Sequence, residues 1–336
     1  MEELIGKMLK NDIINAYGVT ILPALSVINE DSLKLLNNHK IDMDSISFIR
    51  TIRQKEAAES KALVQKTIAT SKGIFESIKG SYKIPLMEIR KEVLPSIKDI
   101  SINTNIYQLF EMVKAKDDYT YEHNIGVAVL STLIGRWMKL SESELSILSL
   151  SALMHDVGKV KTPEEILNKP DKLTNDEFEL IKKHTIYGYE LLKETLGINH
   201  RIALVSLQHH EREDGMGYPF GLKKEKIDSF SSIVAVADIF HAMSSKRPYH
   251  DPISFHEIID QMGQGKFGKL NPHVISIFLS NMMRRLVGNQ VVLTDGRIGE
   301  VVYLNPNYIN APLIKVDELF IDLQYETGLH IKDIIP

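Results

Sequence analysis

The chain has 336 residues, 43% of them hydrophobic and 25% charged, with twelve histidines, no cysteine and a net charge of −4. The missing cysteines exclude a disulfide framework and any thiolate metal site, so a bound metal must sit on nitrogen and oxygen. The acidic balance argues against a protein that coats a nucleic-acid polymer, and no apolar run approaches the roughly 20 residues of a membrane span.

The first residues, MEELIGKMLK, lack the long apolar stretch of a signal peptide, which points to a cytoplasmic protein. Residues 1–53 read as a small α/β or β-rich module. Asn11-Asp12 precedes a β-like run, Tyr17-Gly18 marks a turn, and Val19 to Leu22 resumes a strand. A helix from Asp31 and the apolar pattern Ile46 to Ile49 complete it. Residues 54–99 read as a helical connector. The stretch Gln54 to Gly80 is rich in Ala, Lys, Glu and Gln, without a strongly apolar face, and suits a linking or dimerisation segment.

From 100 to 285 the pattern is nearly all helix. Ile125, Val129, Leu133 and Ile134 form one 3.6-period face, and Leu145, Leu148 and Ala152 form another. Ser143-Glu144 opens the second of these helices. Thr174 to Glu177 is a capping-type start for a helix through Leu192. A loop rich in Gly and Lys spans 211–229. Residues 286–336 change texture and read as a small β-rich unit: a hairpin about Asp295-Gly296, a loop from Asn305 to Pro312, then strands over 313–316 and 320–323.

The chemistry concentrates in the helical region, where six of the twelve histidines fall between 123 and 210. His155-Asp156-Val157-Gly158-Lys159 closes the helix that begins near Ser143. Neighbouring His and Asp on a helix point about 100° apart, so one can bind a metal head-on while the other bridges to a second. Gly158 suits a sharp helix exit that returns Lys159 toward the pair. A lone HD dipeptide is more often a helix end with a surface Asp. Its company raises its weight: His123, His184, the pair His209-His210, and Asp238 inside the apolar run VAVADIF, where a carboxylate is costly unless paired or coordinating. His200 reads as an ordinary turn residue.

Together DYT with His123, HDVGK, IKKH, HHEREDGMGYPFGLK, VADIFHAM and RPY (247–249) resemble the HD-GYP family of metal-dependent phosphohydrolases over roughly residues 100 to 285. The resemblance implies a mainly α protein, with an all-helical HD-type domain between small β-containing N-terminal and C-terminal units. It implies iron or manganese ligated by His123, His155, Asp156, His184, His209, His210 and Asp238, with Asp156 as the bridge. It also implies that Lys159, Arg247 and His250 contact substrate phosphate.

Tyr119 stands where some relatives carry a glutamate that reaches a third metal, so two divalent ions are expected. His241 stands where many relatives have Asp, and His250 where many have Lys or Arg. The implied substrate is cyclic di-GMP, opened to pGpG and, by a second cut, to GMP. Two ions would activate a shared water, with Lys159 and Arg247 holding phosphoryl oxygens. The loop Asp214 to Lys223 resembles the family's GYP loop, either a surface for protein partners or a brace for His210 and Glu211. A homodimer through the connector is a further expectation. Residue spacing alone reaches phosphoester hydrolysis. It leaves open a phosphohydrolase for another nucleotide and a non-catalytic cyclic di-GMP receptor.

Overall fold

The computed structural model describes residues 4–335 apart from 5–6, 16, 24–25, 27, 44–45, 47, 50–51, 104–118, 170, 245–254, 266–267 and 306–307. The chain divides into two units, Met1–Ala62 and Leu63–Pro336. In the first, β1 (Met8–Leu9) pairs antiparallel with β4 (Phe48–Ile49), and β2 (Ile13–Ile14) with β3 (Thr20–Leu22). The Asn15 side chain accepts from the N–H groups of Tyr17 and Val19, which shapes the turn between β2 and β3. Helix α1 (Glu30–Asn38) is capped by Asn29, and Leu9, Ile13, Ile28 and Leu36 form the apolar centre.

Helix α2 (Ile52–Ser81) crosses the boundary between the units. In its second half it buries Val64, Ile68, Ile74, Phe75 and Ile78, an apolar face the sequence does not advertise. The reason is dilution. Thr67 and Ser71 lie on the same face and are equally buried, and the Thr67 hydroxyl donates to the Leu63 carbonyl at 2.7 Å.

Next come α3 (Leu86–Glu88), a widened π turn (Ile89–Val93) and α4 (Leu94–Asn103). The wide turn runs directly into Pro95, which has no N–H to continue an α-helical ladder. Helix α5 (Tyr119–Trp137) is buried from His123 through Gly135 on all sides, as a central helix should be. Around it pack α4, α6 (Glu142–Leu153), α11 (Ser229–Ser244) and α13 (Pro272–Arg284). The N-cap of α6 is Ser141 rather than Ser143. Its hydroxyl and the Glu144 carboxylate exchange hydrogen bonds with the opposite backbone N–H groups.

A 3₁₀ turn (Val157–Lys161), α7 (Glu164–Leu167), α8 (Asn175–Lys182), α9 (His184–Lys193) and α10 (His200–Gln208) follow, and α12 (Phe255–Gly263) precedes α13. Thr174 and Glu177 form the expected capping box of α8, but the single helix expected through Leu192 breaks at Lys183. His200, expected in a turn, is the first residue of α10, behind the cap residue Asn199.

The C-terminal residues form a five-stranded antiparallel sheet in the order β8-β7-β6-β5-β9, from β5 (Gln290–Leu293), β6 (Ile298–Asn305), β7 (Tyr308–Val316), β8 (Leu319–Asp322) and β9 (Ile331–Ile334). The Asp295-Gly296 turn lies between β5 and β6 as expected, with Gly296 at φ +90°. Residues 308–312, expected in a loop, belong to β7. Pro312 is buried there, and the stretch lacks the alternation that betrays a half-buried strand. Val291, Leu293, Val301, Ile314 and Ile331 of the sheet join the apolar core of the helical region.

Candidate metal centre

Five pieces of chain converge on one buried point. His123 comes from α5 and Asp238 from α11. His155 and Asp156 come from the turn after α6, His184 opens α9, and His209 and His210 follow α10. The His155-Asp156 pair was expected on a helix, but α6 ends at Leu153 and the pair occupies the turn beyond it. That turn is fixed by backbone contact. A Cβ on Gly158 would stand 1.9 Å from the His184 carbonyl oxygen and 2.4 Å from the Gly188 nitrogen, so only glycine fits. Gly158 therefore serves close approach of the 3₁₀ turn to α9 rather than an unusual dihedral. Ser206 of α10 secures the same region, donating to the His155 carbonyl at 2.8 Å.

Asp156 lies at the centre with its two oxygens turned to different neighbours. Oδ1 is 3.2 Å from His184 Nε2 and 3.8 Å from His209 Nε2. Oδ2 is 3.3 Å from His155 Nε2, 3.9 Å from His123 Nε2 and 2.5 Å from Lys159 Nζ. Asp238 Oδ1 lies 3.1 Å from His123 Nε2. The side chains sort into two groups with ion-binding spacing, Asp156/His184/His209/His210 and His123/His155/Asp238, each with ligand atoms within 4.8 Å of one another.

Three of the imidazoles are oriented by their own helical turns. Nδ1–H of His155 donates to the Ala152 carbonyl (2.7 Å), that of His184 to Ile181 (2.7 Å) and that of His209 to Ser206 (2.9 Å). A carbonyl only accepts, so each ring in its neutral form holds its Nε2 lone pair toward Asp156. His123 differs, with Nδ1 3.1 Å from Nδ1 of His241, a side chain rather than a carbonyl.

Most of the charges are tuned toward neutral imidazole and ionised carboxylate. Desolvation by burial pushes His209 and His210 well below the ordinary histidine range, with neighbouring histidines adding to it, and burial also lowers His123. Burial alone would raise Asp156, yet Lys159 and His155 outweigh it and hold the carboxyl well below the usual range. Asp238 is likewise held low, against burial, by His123 and His210. His155 is shifted upward despite burial, because Asp156 and Asp238 favour its cation.

This donor set fits divalent ions. His184 Nε2 and His209 Nε2 lie 3.3 Å apart while both Nδ1 protons are committed elsewhere, so two neutral rings would face each other with lone pairs. A cation between them resolves that conflict. His155 Nε2 and Asp156 Oδ1 are buried without a hydrogen bond of good geometry, an expensive arrangement for a site meant to remain empty. Neutral imidazole and carboxylate without thiolate suit iron or manganese.

The GYP loop braces one corner. The Tyr218 ring stacks on His210 with centroids 4.5 Å apart, and the Tyr218 N–H donates to the His210 carbonyl. The buried Glu211 carboxylate accepts from the N–H groups of Phe220 and Leu222, both at 2.8 Å. A Cβ on Gly217 would meet the backbone of residues 210–212 at 2.5 Å. Glu211, Tyr218 and Gly188 received no individual role from the sequence; the usable signal was glycine inside an otherwise apolar helix. Arg247, His250 and the side chain of Tyr119 lie outside the described residues.

Comparison with known proteins places this architecture. Residues 108–274 match the family model of the HD domain. The chain is 36% identical over 204 residues to a cyclic di-GMP phosphodiesterase of Pseudomonas aeruginosa, covering 61% of this chain and 49% of that protein. It is 36% identical over 180 residues to 3′3′-cGAMP-specific phosphodiesterase 1 of Vibrio cholerae, covering 51% of this chain and 39% of that one. The chain thus spans about half or less of these curated relatives. Among solved structures, an HDG"Y"P protein of Bdellovibrio bacteriovorus shares the fold with a TM-score of 0.53 at 18% identity, covering 84% of this chain and 97% of that one. The matched stretch is an HD domain. The HDVGK, HHE and GYP motifs that resemble the HD-GYP family all lie within this matched stretch. Among the described residues, no helix is long and apolar enough to cross a membrane.

Proposed function

We propose that this chain hydrolyses cyclic di-GMP to linear pGpG, and in a second cut to GMP, at a site holding two divalent ions, iron or manganese. The observation that carries the reading is Asp156, whose two oxygens face two separate groups of ligands. His184, His209 and His210 would hold one ion and His123, His155 and Asp238 the other, with Asp156 shared between them. Bound ions supply an activated water and neutralise phosphoryl charge. The chain's own part is to hold the Nε2 lone pairs inward, keep Asp156 and Asp238 ionised, and exclude bulk water. Lys159, next to Asp156, is placed to hold a non-bridging phosphoryl oxygen, and the sequence resemblance alone proposes Arg247 and His250 as further phosphate contacts. The overall change is balanced: water adds across one phosphodiester, giving a phosphomonoester and a free hydroxyl.

The cyclic di-GMP phosphodiesterase named above supports that substrate, and the cGAMP-specific relative supports 3′3′-cGAMP as the second reading. A cytoplasmic location is part of the same proposal. A protein partner at the GYP loop and a homodimer are further parts of the proposal. Elemental analysis of anaerobically purified protein, followed by hydrolysis assays on both dinucleotides, tests the whole. About two iron or manganese ions per chain with pGpG or GMP formed is the expected result. Ions without turnover of either dinucleotide would instead favour a receptor or a different nucleotide.

A further inference from the structure

His241 sits on α11 three residues beyond the ligand Asp238 and is almost fully buried. Its Nδ1 lies 3.1 Å from Nδ1 of His123, with the two rings edge to face at 5.0 Å. The fit is close, because a Cβ on Gly126 of α5 would stand 2.0 Å from His241 Nε2 and 2.2 Å from its Cδ2. Glycine inside a helix costs about 1 kcal/mol relative to alanine. Here it makes room for the imidazole.

Two nitrogens at hydrogen-bond distance share one proton, and with both rings neutral there are two ways to place it. In the first, His123 carries its proton on Nδ1 and donates to His241, leaving Nε2 open to an ion. In the second, His241 donates to His123, and the His123 proton moves to Nε2, where Asp238 Oδ1 at 3.1 Å accepts it. Every hydrogen bond of the trio survives in the second arrangement, but the ligand nitrogen is blocked. His155, His184 and His209 have no such alternative, because their partners are carbonyls.

We infer that His241 is a positioning residue that offers His123 an ion-incompetent tautomer, so that the His123/His155/Asp238 half holds its ion more weakly than the other half. This rests on the two-ion reading above. A carboxylate at position 241 can only accept and would lock His123 in the ligating form. An asparagine of the same size can accept or donate, as the imidazole does. A leucine can do neither.

The test uses the full chain with manganese(II) as the probe. Titration calorimetry would measure both ions, and nitrogen-15 spectra of the metal-free protein would read the His123 tautomer. His241→Asp should tighten the weaker ion about tenfold, the scale of outer-shell effects on metal affinity, and place the His123 proton on Nδ1. His241→Asn should behave as the wild type, with a population protonated on Nε2, and His241→Leu should bind the weaker ion less tightly. His123 found wholly protonated on Nδ1 in the wild type, or equal affinities across the three variants, would overturn the inference and leave the two-ion site standing. A wild type that binds no manganese would overturn the site itself. Should His241→Asp fail to fold, the contrast between Asn and Leu and the wild-type spectrum still decide the matter.

Discussion

Two ways of holding an imidazole coexist in this centre. His155, His184 and His209 are each tied to a carbonyl of their own helical turn, three residues back. His123 is tied to the side chain of His241, 118 positions further along the chain. The first arrangement comes with local backbone geometry and cannot be altered by substituting the partner. The second depends on α5 and α11 packing together and can be retuned at a single codon. One centre therefore carries rigidly held imidazoles in both halves and an adjustable one, His123, in only one of them.

The largest expected effect comes from removing what the halves share. Asp156→Ala should abolish ion loading and dinucleotide hydrolysis while the far-ultraviolet circular dichroism remains helical; retained ions by elemental analysis would contradict the shared role. Next are the rigidly held imidazoles. Gly158→Ala drives a methyl into the His184 carbonyl, backbone against backbone, and should cost at least about 3 kcal/mol in a urea melt. Gly188→Ala meets mainly the Ser206 hydroxyl at 2.2 Å, which can rotate, and should cost less.

A pH series comes third. His209, His210 and His123 have folded pKa values below their unfolded ones, so the folded state resists protonation, and stability is lost as pH falls below the unfolded histidine value of about 6.5. Asp156 and Asp238 are also depressed, and their contribution disappears at still lower pH, as it passes through the folded values. His155, shifted upward, works the other way and weakens the fold as pH rises through its folded value. Between pH 5 and pH 7.5 the carboxylates contribute equally, so the histidines decide, and three outnumber one. The metal-free protein should melt at a lower temperature at pH 5 than at pH 7.5, and a flat profile would contradict these shifts.

Glu211→Gln should cost about 1–2 kcal/mol, because an ionised acceptor of two N–H groups becomes a neutral one; hydrogen exchange at Phe220 and Leu222 reads it directly. Tyr218→Phe preserves the ring against His210 and should change activity least, whereas Tyr218→Ala should lower it.

Much of the centre was legible because its chemistry is written in residue types. Histidines and aspartates inside apolar helices are anomalies, and His123, His155, Asp156, His184, His209, His210 and Asp238 meet at one place. What stayed hidden was set by contacts between distant segments. The break at Lys183 has no proline or glycine to announce it. The buried face of α2 was masked by Thr67 and Ser71, whose hydropathy says surface although they lie inside. Strand β9 is absent from the expected strands because Lys332 and Asp333 interrupt its apolar pattern, and its pairing with β5 makes it a strand. Gly126 and Gly188 look like helix weaknesses until the opposing His241 and Ser206 are in view.

The seam between Gly158 and Gly188 has no side chain in it. Most packed surfaces can drift through a series of tolerable replacements, each absorbed by a neighbour, until spacing has changed by an ångström. A joint of bare main chain offers no such intermediates. The separation of Asp156 from His184 is therefore set by the missing side chain of Gly158, and is lost in one step when that glycine is replaced.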